Sequence, residues 1–420
     1  TLSLDRAYPE SDLSPLPAKH LHRLQTHDFS QLSTNNHQPT IALDGLLGIG
    51  TTGSPREPVS SAIKRLNLLR RDQHTFVFSA DVPSGLDADT GQPGKPCVIA
   101  DCTITIGHGK VGLVADAATD HVGRLALAEL EDLRPASFTN HGCLITNHAK
   151  RLLPARDFDS HKGKWGRVGV IAGSRGLLGA ARLCSAAAVR SGGGLVTLYV
   201  KPDAYELFAT SCIPEVMVKP IDDYTAALDD HLDSLAIGPG LGSDHDDEIL
   251  TILRETTIPT LADADALNAL ARNPSQLSSL ASQLVLTPHP GEFARLAPDL
   301  ADRPRAEAAQ RFADRHPLTL LLKGARTVIA EREQPLLYNS TGNPGMGSGG
   351  MGDVLSGVGA ALLAQGCSPR DAASLAAWLG GRAAECFVFS SAGSPETLTA
   401  SHVIDHLGPS FEALRSPISF

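Results

Sequence analysis

The feature that most constrains this chain is a recurring order of short apolar runs, each closed by a cluster of glycine and polar residues and followed by a helical stretch. Such text is produced by parallel strands, which need helical crossovers between them and carry their loops at the strand ends. Beyond residue 166 strand candidates fall at 167–172, 194–200, 234–238, 260–263, 284–287 and 318–323. Helix candidates lie between them, at 178–190 and 304–315 among others, and two short runs at 326–330 and 335–338 read as an antiparallel hairpin. Two Ala-rich apolar helices, 353–365 and 369–389, close the pattern. No internal repeat is present. Aromatic residues make up only 5% of the chain, which suits close helix-on-sheet packing in an α/β protein better than a sandwich.

A second, shorter stretch of the same text occupies the front. Residues 40–44 read as a buried strand, 60–71 as a helix, 75–81 as a second strand and 101–107 as a third, a parallel α/β unit. Residues 1–40 are polar and show no helical or strand period. Between residues 137 and 160 the composition turns to His, Asn, Asp and Pro, which places a boundary there and predicts domains over 1–140 and 150–415. The formal net charge of −10 opposes a general role in gripping nucleic acid, although small anions can bind locally. The 7 cysteines include no CxxC pair, and no apolar run reaches membrane-spanning length. A reduced, cytoplasmic protein is expected, without membrane or nucleic-acid partners and assembled as a homo-oligomer.

The densest signal is the run from Thr341 to Asp353, with glycine at 342, 345, 347, 349, 350 and 352. Backbone amides can converge in such a run, and the helix after it adds partial positive charge, so a phosphate suits the place. The same charge is expected to keep Asp353 ionised as a potential base. Taken alone, the motif fits an anion site and a plain helix cap equally well. Three further clusters and a lysine alter that balance, because Gly238 to Gly242, Asp263 to Asn268, Thr287 to Glu292 and Lys323 to Thr327 each follow a separate strand. Open α/β sheets place their ligand crevice at such strand ends.

The segments His161-Lys162-Gly163, 171–181, 190–196 and Pro214-Glu215-Val216-Met217, with these clusters in this order, resemble the ADP- or ATP-dependent NAD(P)H-hydrate dehydratases. The resemblance covers about residues 150–410 and implies a ribokinase-like three-layer α/β/α fold. It further implies that Lys323, Gly324, Ala325, Arg326, Thr327 and Gly352 hold ADP or ATP with Mg²⁺. Ala180, Gly240, Gly242, His289 and Asp353 would face a hydrated NAD(P)H, with Asp353 taking the hydroxyl proton. Phosphorylation of that hydroxyl, then loss of phosphate, would restore the dihydronicotinamide. Ser348, Met351 and Gly380 depart from the family's usual wording, with histidine common where Gly380 stands.

Residues 40–130 are similar to the later part of the NAD(P)H-hydrate epimerase domain, a partial Rossmann-like α/β domain, through Asp44, the 48–54 loop, the 81–87 segment and Gly107-His108-Gly109-Lys110. That similarity implies a potassium ion at Asp44 and Ser84. It implies a substrate site lined by Asp81 with Gly48, Ile49, Gly50, Thr51, Thr52, Gly53 and Ser54. Asp44 alone also reads as an ordinary strand-end carboxylate. The family's first strands and phosphate motif are expected many tens of residues before Asp44, where only about forty polar residues stand, so epimerase activity is expected to be weak. Two other functions fit the same motifs. A small-molecule hydroxyl kinase of this fold would accumulate a phosphorylated product, and a non-catalytic nucleotide-binding scaffold would turn over nothing.

Overall fold

The computed structural model describes residues 41–130, 142–281, 283–390 and 393–415, and divides the chain into two compact units, residues 1–137 and 138–420. The expectation for residues 1–40 lies outside the described residues.

In the first unit four parallel strands stand in chain order: β1 (Ile41–Asp44), β2 (Phe76–Ala80), β3 (Cys102–Ile106) and β4 (Arg124–Ala128). Helix α1 (Val59–Gln73) crosses from β1 to β2. It buries Val59 and Ile63 against Ala42, Val77, Val98 and Ala100. The alternation along β1 sends Ala42 and Asp44 inward, so an apolar strand delivers a buried carboxylate at its C-terminal end.

The second unit holds a ten-stranded sheet. Its strands are β5 (Cys143–Ile145), β6 (Arg167–Ile171), β7 (Leu195–Val200), β8 (Val216–Pro220), β9 (Ser234–Ile237), β10 (Thr260–Ala262), β11 (Leu284–Leu286), β12 (Thr319–Leu322), β13 (Val328–Ala330) and β14 (Leu337–Asn339). They stand in the order 5-14-13-12-11-10-9-6-7-8. All pairs are parallel except β12–β13 and β13–β14, so the hairpin read from the sequence is present at one side of the sheet. The parallel central strands are buried on both faces, which is why they are short and continuously apolar. β5 pairs with β14, so the second sheet takes in a strand that precedes residue 150.

The principal helices of this unit are α2 (Leu178–Arg190), α3 (Asp246–Glu255), α4 (Asp265–Arg272), α5 (Pro290–Leu296), α6 (Arg305–Arg315), α7 (Met351–Ala364) and α8 (Pro369–Phe389). Helix α7 begins two residues earlier than its sequence pattern predicts. Its N-cap, Gly350, sits in left-handed backbone at φ 88° and offers no side-chain cap, so the usual polar start signal is missing. Helices α7 and α8 carry much of the second core, with Val354, Val358, Leu362, Leu375, Leu379 and Phe387 buried together.

Candidate active site

The chain runs outward from β6 to β7 and β8, then returns past β6 to β9, β10, β11 and β12. The connection therefore reverses between β6 and β9, and a crevice opens at their C-terminal ends. Its walls are tied together across that point. Gly173 N donates to Pro239 O at 2.7 Å, and Ser174 Oγ donates to Gly240 O at 2.9 Å. Ala180, in the first turn of α2, lies so close to Gly240 that a Cβ there would come within 2.9 Å of the Ala180 methyl. Gly242 N donates to Asp265 Oδ2 at 2.8 Å, and Asp265 Oδ1 receives Asn268 Nδ2 at 3.1 Å.

The four polar clusters read from the sequence come after β9, β10, β11 and β12, which are neighbours in the sheet, so all four open onto one edge. His289 caps α5, its Nδ1 receiving the backbone N–H of Gly291 at 3.0 Å and of Glu292 at 3.3 Å. A ring nitrogen used as an acceptor fixes the proton of the neutral ring on Nε2. The ring stays half exposed, with Nε2 3.5 Å from Glu292 Oε1.

Lys323 Nζ donates to Asp263 Oδ1 at 2.7 Å and lies 3.8 Å from Glu292 Oε2. Gly352, in the first turn of α7, lies against this pair, since a Cβ there would come within 3.2 Å of Asp263 Oδ2 and 3.3 Å of Lys323 Nζ. Asp353 is next along the helix. Burial first, and the nearby Asp263 carboxylate second, push its pKa up to about 6, against the pull of Lys323. By its charge alone the helix N-terminus would keep this carboxylate ionised, as expected from the sequence. In the folded chain loss of solvation outweighs favourable charge, and a carboxylate poised to titrate near 6 results. The first N–H groups of α7 have no intrahelical acceptor, and Gly349 ahead of them is exposed, whereas earlier in the run the amides of Gly342, Gly345 and Gly347 are taken by Glu385 Oε1, Asn343 Oδ1 and Pro344 O. The residues of the lysine segment divide: Gly324 and Ala325 are exposed, Thr327 Oγ1 donates to Gly324 O at 3.0 Å, and Arg326 is buried.

Sequence reasoning missed the side chains that hold these groups. Ser356, the lone hydroxyl of α7, donates to Asp263 Oδ2 at 3.0 Å, and a serine within an apolar helix was the signal available. Glu385 of buried α8 receives Gly342 N at 3.0 Å and Arg382 Nη1 at 2.9 Å, anchoring the start of the glycine run.

In the first unit Asp44 is buried and receives Ser84 Oγ at 2.6 Å, Ser84 N and Ser79 Oγ at 2.8 Å each, and Leu46 N at 3.3 Å. Asp81, held in left-handed backbone at φ 69°, pairs with Lys110 and receives Ile106 N at 2.9 Å. The 48–54 loop is mostly exposed and turns back on itself, Thr51 Oγ1 donating to Gly48 O at 3.0 Å while Ser54 Oγ receives Lys95 N at 3.2 Å.

A mostly parallel sheet with its crevice at the switch point, a glycine run feeding a helix N-terminus, and a lysine and a carboxylate at that point define an α/β protein of the ribokinase-like class. Solved structures agree. The ADP/ATP-dependent NAD(P)H-hydrate dehydratase of Bacillus subtilis, crystallised with ATP and Mg²⁺, shares 30% identity and a TM-score of 0.56 over 65% of this chain and 99% of its own. A ribokinase-like superfamily protein of Enterococcus faecalis, 24% identical with a TM-score of 0.58 over 67% of this chain and 99% of its own, shares the fold. The NAD(P)H-hydrate dehydratase family matches residues 168–406, and the YjeF-related N-terminal family matches residues 10–112, taking in residues ahead of the stretch whose resemblance is legible by eye. The bifunctional NAD(P)H-hydrate repair enzyme of Moorella thermoacetica is 38% identical over 82% of this chain and 68% of its own length. That of Escherichia coli K12 is 37% identical over 82% and 67%. The chain belongs to the family of bifunctional NAD(P)H-hydrate repair enzymes.

Proposed function

We propose that the second unit dehydrates the S form of hydrated NAD(P)H to NAD(P)H at the expense of ADP or ATP, which enters with its Mg²⁺. The observation that carries this reading is Asp353, a half-buried carboxylate poised at about 6 beside the glycine run and Lys323. Hydroxide is a poor leaving group and phosphate a good one. Asp353 accepts the proton of the hydrate's hydroxyl, whose oxygen attacks the terminal phosphorus as the bond to the shortened nucleotide breaks. The ring's original C–O bond, whose oxygen now carries the phosphoryl group, then breaks as phosphate leaves with loss of a ring proton, and the dihydronicotinamide is restored. The amides at the start of α7 and the Lys323 ammonium stabilise charge on the transferring group. Gly324, Ala325 and Thr327 with Gly352 lie where the nucleotide can run, while Ala180, Gly240, Gly242 and His289 line the hydrate's side of the crevice.

For the first unit we infer a potassium-linked hydrate site. Asp44 is a buried carboxylate whose donors, Ser79, Ser84 and Leu46, are all neutral, and Ser84 Oγ lies 3.5 Å from Leu47 O. The oxygens among these groups, the Asp44 carboxylate, Ser84 Oγ and Leu47 O, fit a hard monovalent cation held by Asp44 and Ser84, which would fix the adjoining loop and supply local positive charge. Asp81 and the 48–54 loop follow neighbouring strands, β2 and β1, as walls for the substrate.

The test supplies the S hydrate with ATP or ADP to the whole chain and tracks the absorbance of regenerated NADH. Turnover should appear with one or both nucleotides and fall on the order of 10²- to 10⁴-fold in Asp353→Asn. Accumulation of a phosphorylated hydrate without NADH would make the protein a hydroxyl kinase, and binding without turnover would make it a scaffold.

A further inference from the structure

The residue best built for a task that the mechanism leaves unused is Asp263. It comes directly after β10 and is 1% exposed, yet no step of the reaction touches it. Its carboxylate receives Lys323 Nζ at 2.7 Å, Ser356 Oγ at 3.0 Å and the N–H of Ala264 at 2.9 Å. The backbone around it is strained: Ala264 sits at φ 49°, a left-handed conformation that a residue bearing a Cβ avoids, and the Asp263 side chain bonds into that turn. Gly352 is bare toward both the carboxylate and the ammonium, so no side chain separates them from the α7 N-terminus.

We propose that Asp263 is a positioning residue of the reaction: it pins the Lys323 ammonium beneath the Gly352 amide and holds a second negative charge beside Asp353. The proposal rests on the reading of Asp353 as the base. A charge buried here costs stability that a neutral residue would not, so the arrangement is costly unless the charge is used. The cation and the anion act on Asp353 in opposite senses. Lys323 favours its ionised form and Asp263 disfavours it, and burial sides with Asp263. A phosphate bound at the pinned Lys323 offsets that cation's pull on Asp353 and leaves Asp263 acting against ionisation, so nucleotide binding strengthens the base as the substrate hydroxyl arrives.

Five groups face Asp353 or its partners. Asp263 stands after β10, Lys323 after β12, and Glu292 and His289 lie on α5 and at its cap. The fully buried Cys184 thiol lies on α2, and its pKa is raised well above the usual value by burial and by the two aspartates, so it stays neutral. Of these, Asp263 and Lys323 are the two whose charges bear on Asp353, and they make opposite predictions.

The experiment measures the pH profile of kcat/KM for the hydrate on the whole chain, with saturating ATP, in wild type, Asp263→Asn and Lys323→Met. In Asp263→Asn the acidic limb should move to lower pH by about one unit, and in Lys323→Met it should move to higher pH. A loss of activity in Asp263→Asn with the limb unmoved would reduce Asp263 to a structural residue and overturn the proposal. Asp353→Asn separates the two readings: if the limb survives there, the base itself is misassigned, whereas its disappearance leaves the proposal standing or falling on the other variants. Should Asp263→Asn fail to fold, Lys323→Met and the pH dependence of the melting difference between wild type and Asp353→Asn still report the proton affinity of Asp353. An unmoved or downward limb in Lys323→Met then overturns the proposal.

Discussion

A carboxylate held half-buried at a helix start lowers stability whenever it is ionised, and Asp353 shows the sign of that effect. Its folded-state pKa lies near 6, above the value of about 3.9 for an exposed aspartate, so the folded chain binds more protons between these limits than the unfolded chain does. Stability is therefore lost as pH rises from about 4 through 6, and the loss persists above. Asp353→Asn gives up a favourable interaction with the helix dipole, worth about 0.3–1 kcal/mol, but also removes the larger desolvation term. We expect the variant to melt a few degrees above wild type at alkaline pH, with the gain vanishing toward pH 4, by differential scanning calorimetry. A lower melting temperature at every pH would mean that the carboxylate is a stabilising cap and not a desolvated base.

Among the elements, the contact between α7 and α2 sets the position of Asp353. A Cβ on Gly357 would overlap the Cys184 carbonyl, so the two helix backbones touch directly. In a free helix glycine to alanine is worth about 1 kcal/mol of stabilisation. Here it should cost about 2 kcal/mol, because backbone has to separate. Urea midpoints with an unchanged slope would show it, and Gly357→Ala as stable as wild type would mean the helices can part freely. This contact was not legible in the sequence, where Gly357 reads as one more small residue in an apolar helix. The central strands were legible because buried parallel strands are continuous apolar runs with glycine and polar residues at their ends. Strand β8 was not, since three of its five residues lie open to solvent, Met217 among them, and Pro220 closes it. Strand β5, at three residues, offers no period at all. The site divides in the same way: Lys323, His289 and Asp353 stand in compact motifs, whereas the tie between Asp263 and Ser356 spans distant segments, and only the fold brings them together.

For the molecule as a whole, the two units differ in what each needs in order to stand. The second unit contains every group proposed for nucleotide binding and dehydration, and its sheet is complete only with β5, which precedes the 150 start predicted from composition. Strand β5 pairs with β14 over three residues, and Ser340 Oγ donates to Ile145 O at 2.6 Å. Residue 340 leads directly into the glycine run, so β5 braces the loop proposed to bind phosphate. A fragment spanning residues 138–420 should fold and bind ATP with the affinity of the whole chain, measured by calorimetry. A fragment starting at 150 loses that edge and exposes the β14 ladder, and should be less stable by on the order of 2 kcal/mol, with weaker nucleotide binding. Equal stability and affinity in the two fragments would show that β5 is dispensable and that the glycine run is held from α8 alone, through Glu385 on Gly342. If the longer fragment fails to fold, the second unit does not stand without the first, and the boundary at residue 138 is not a boundary of folding.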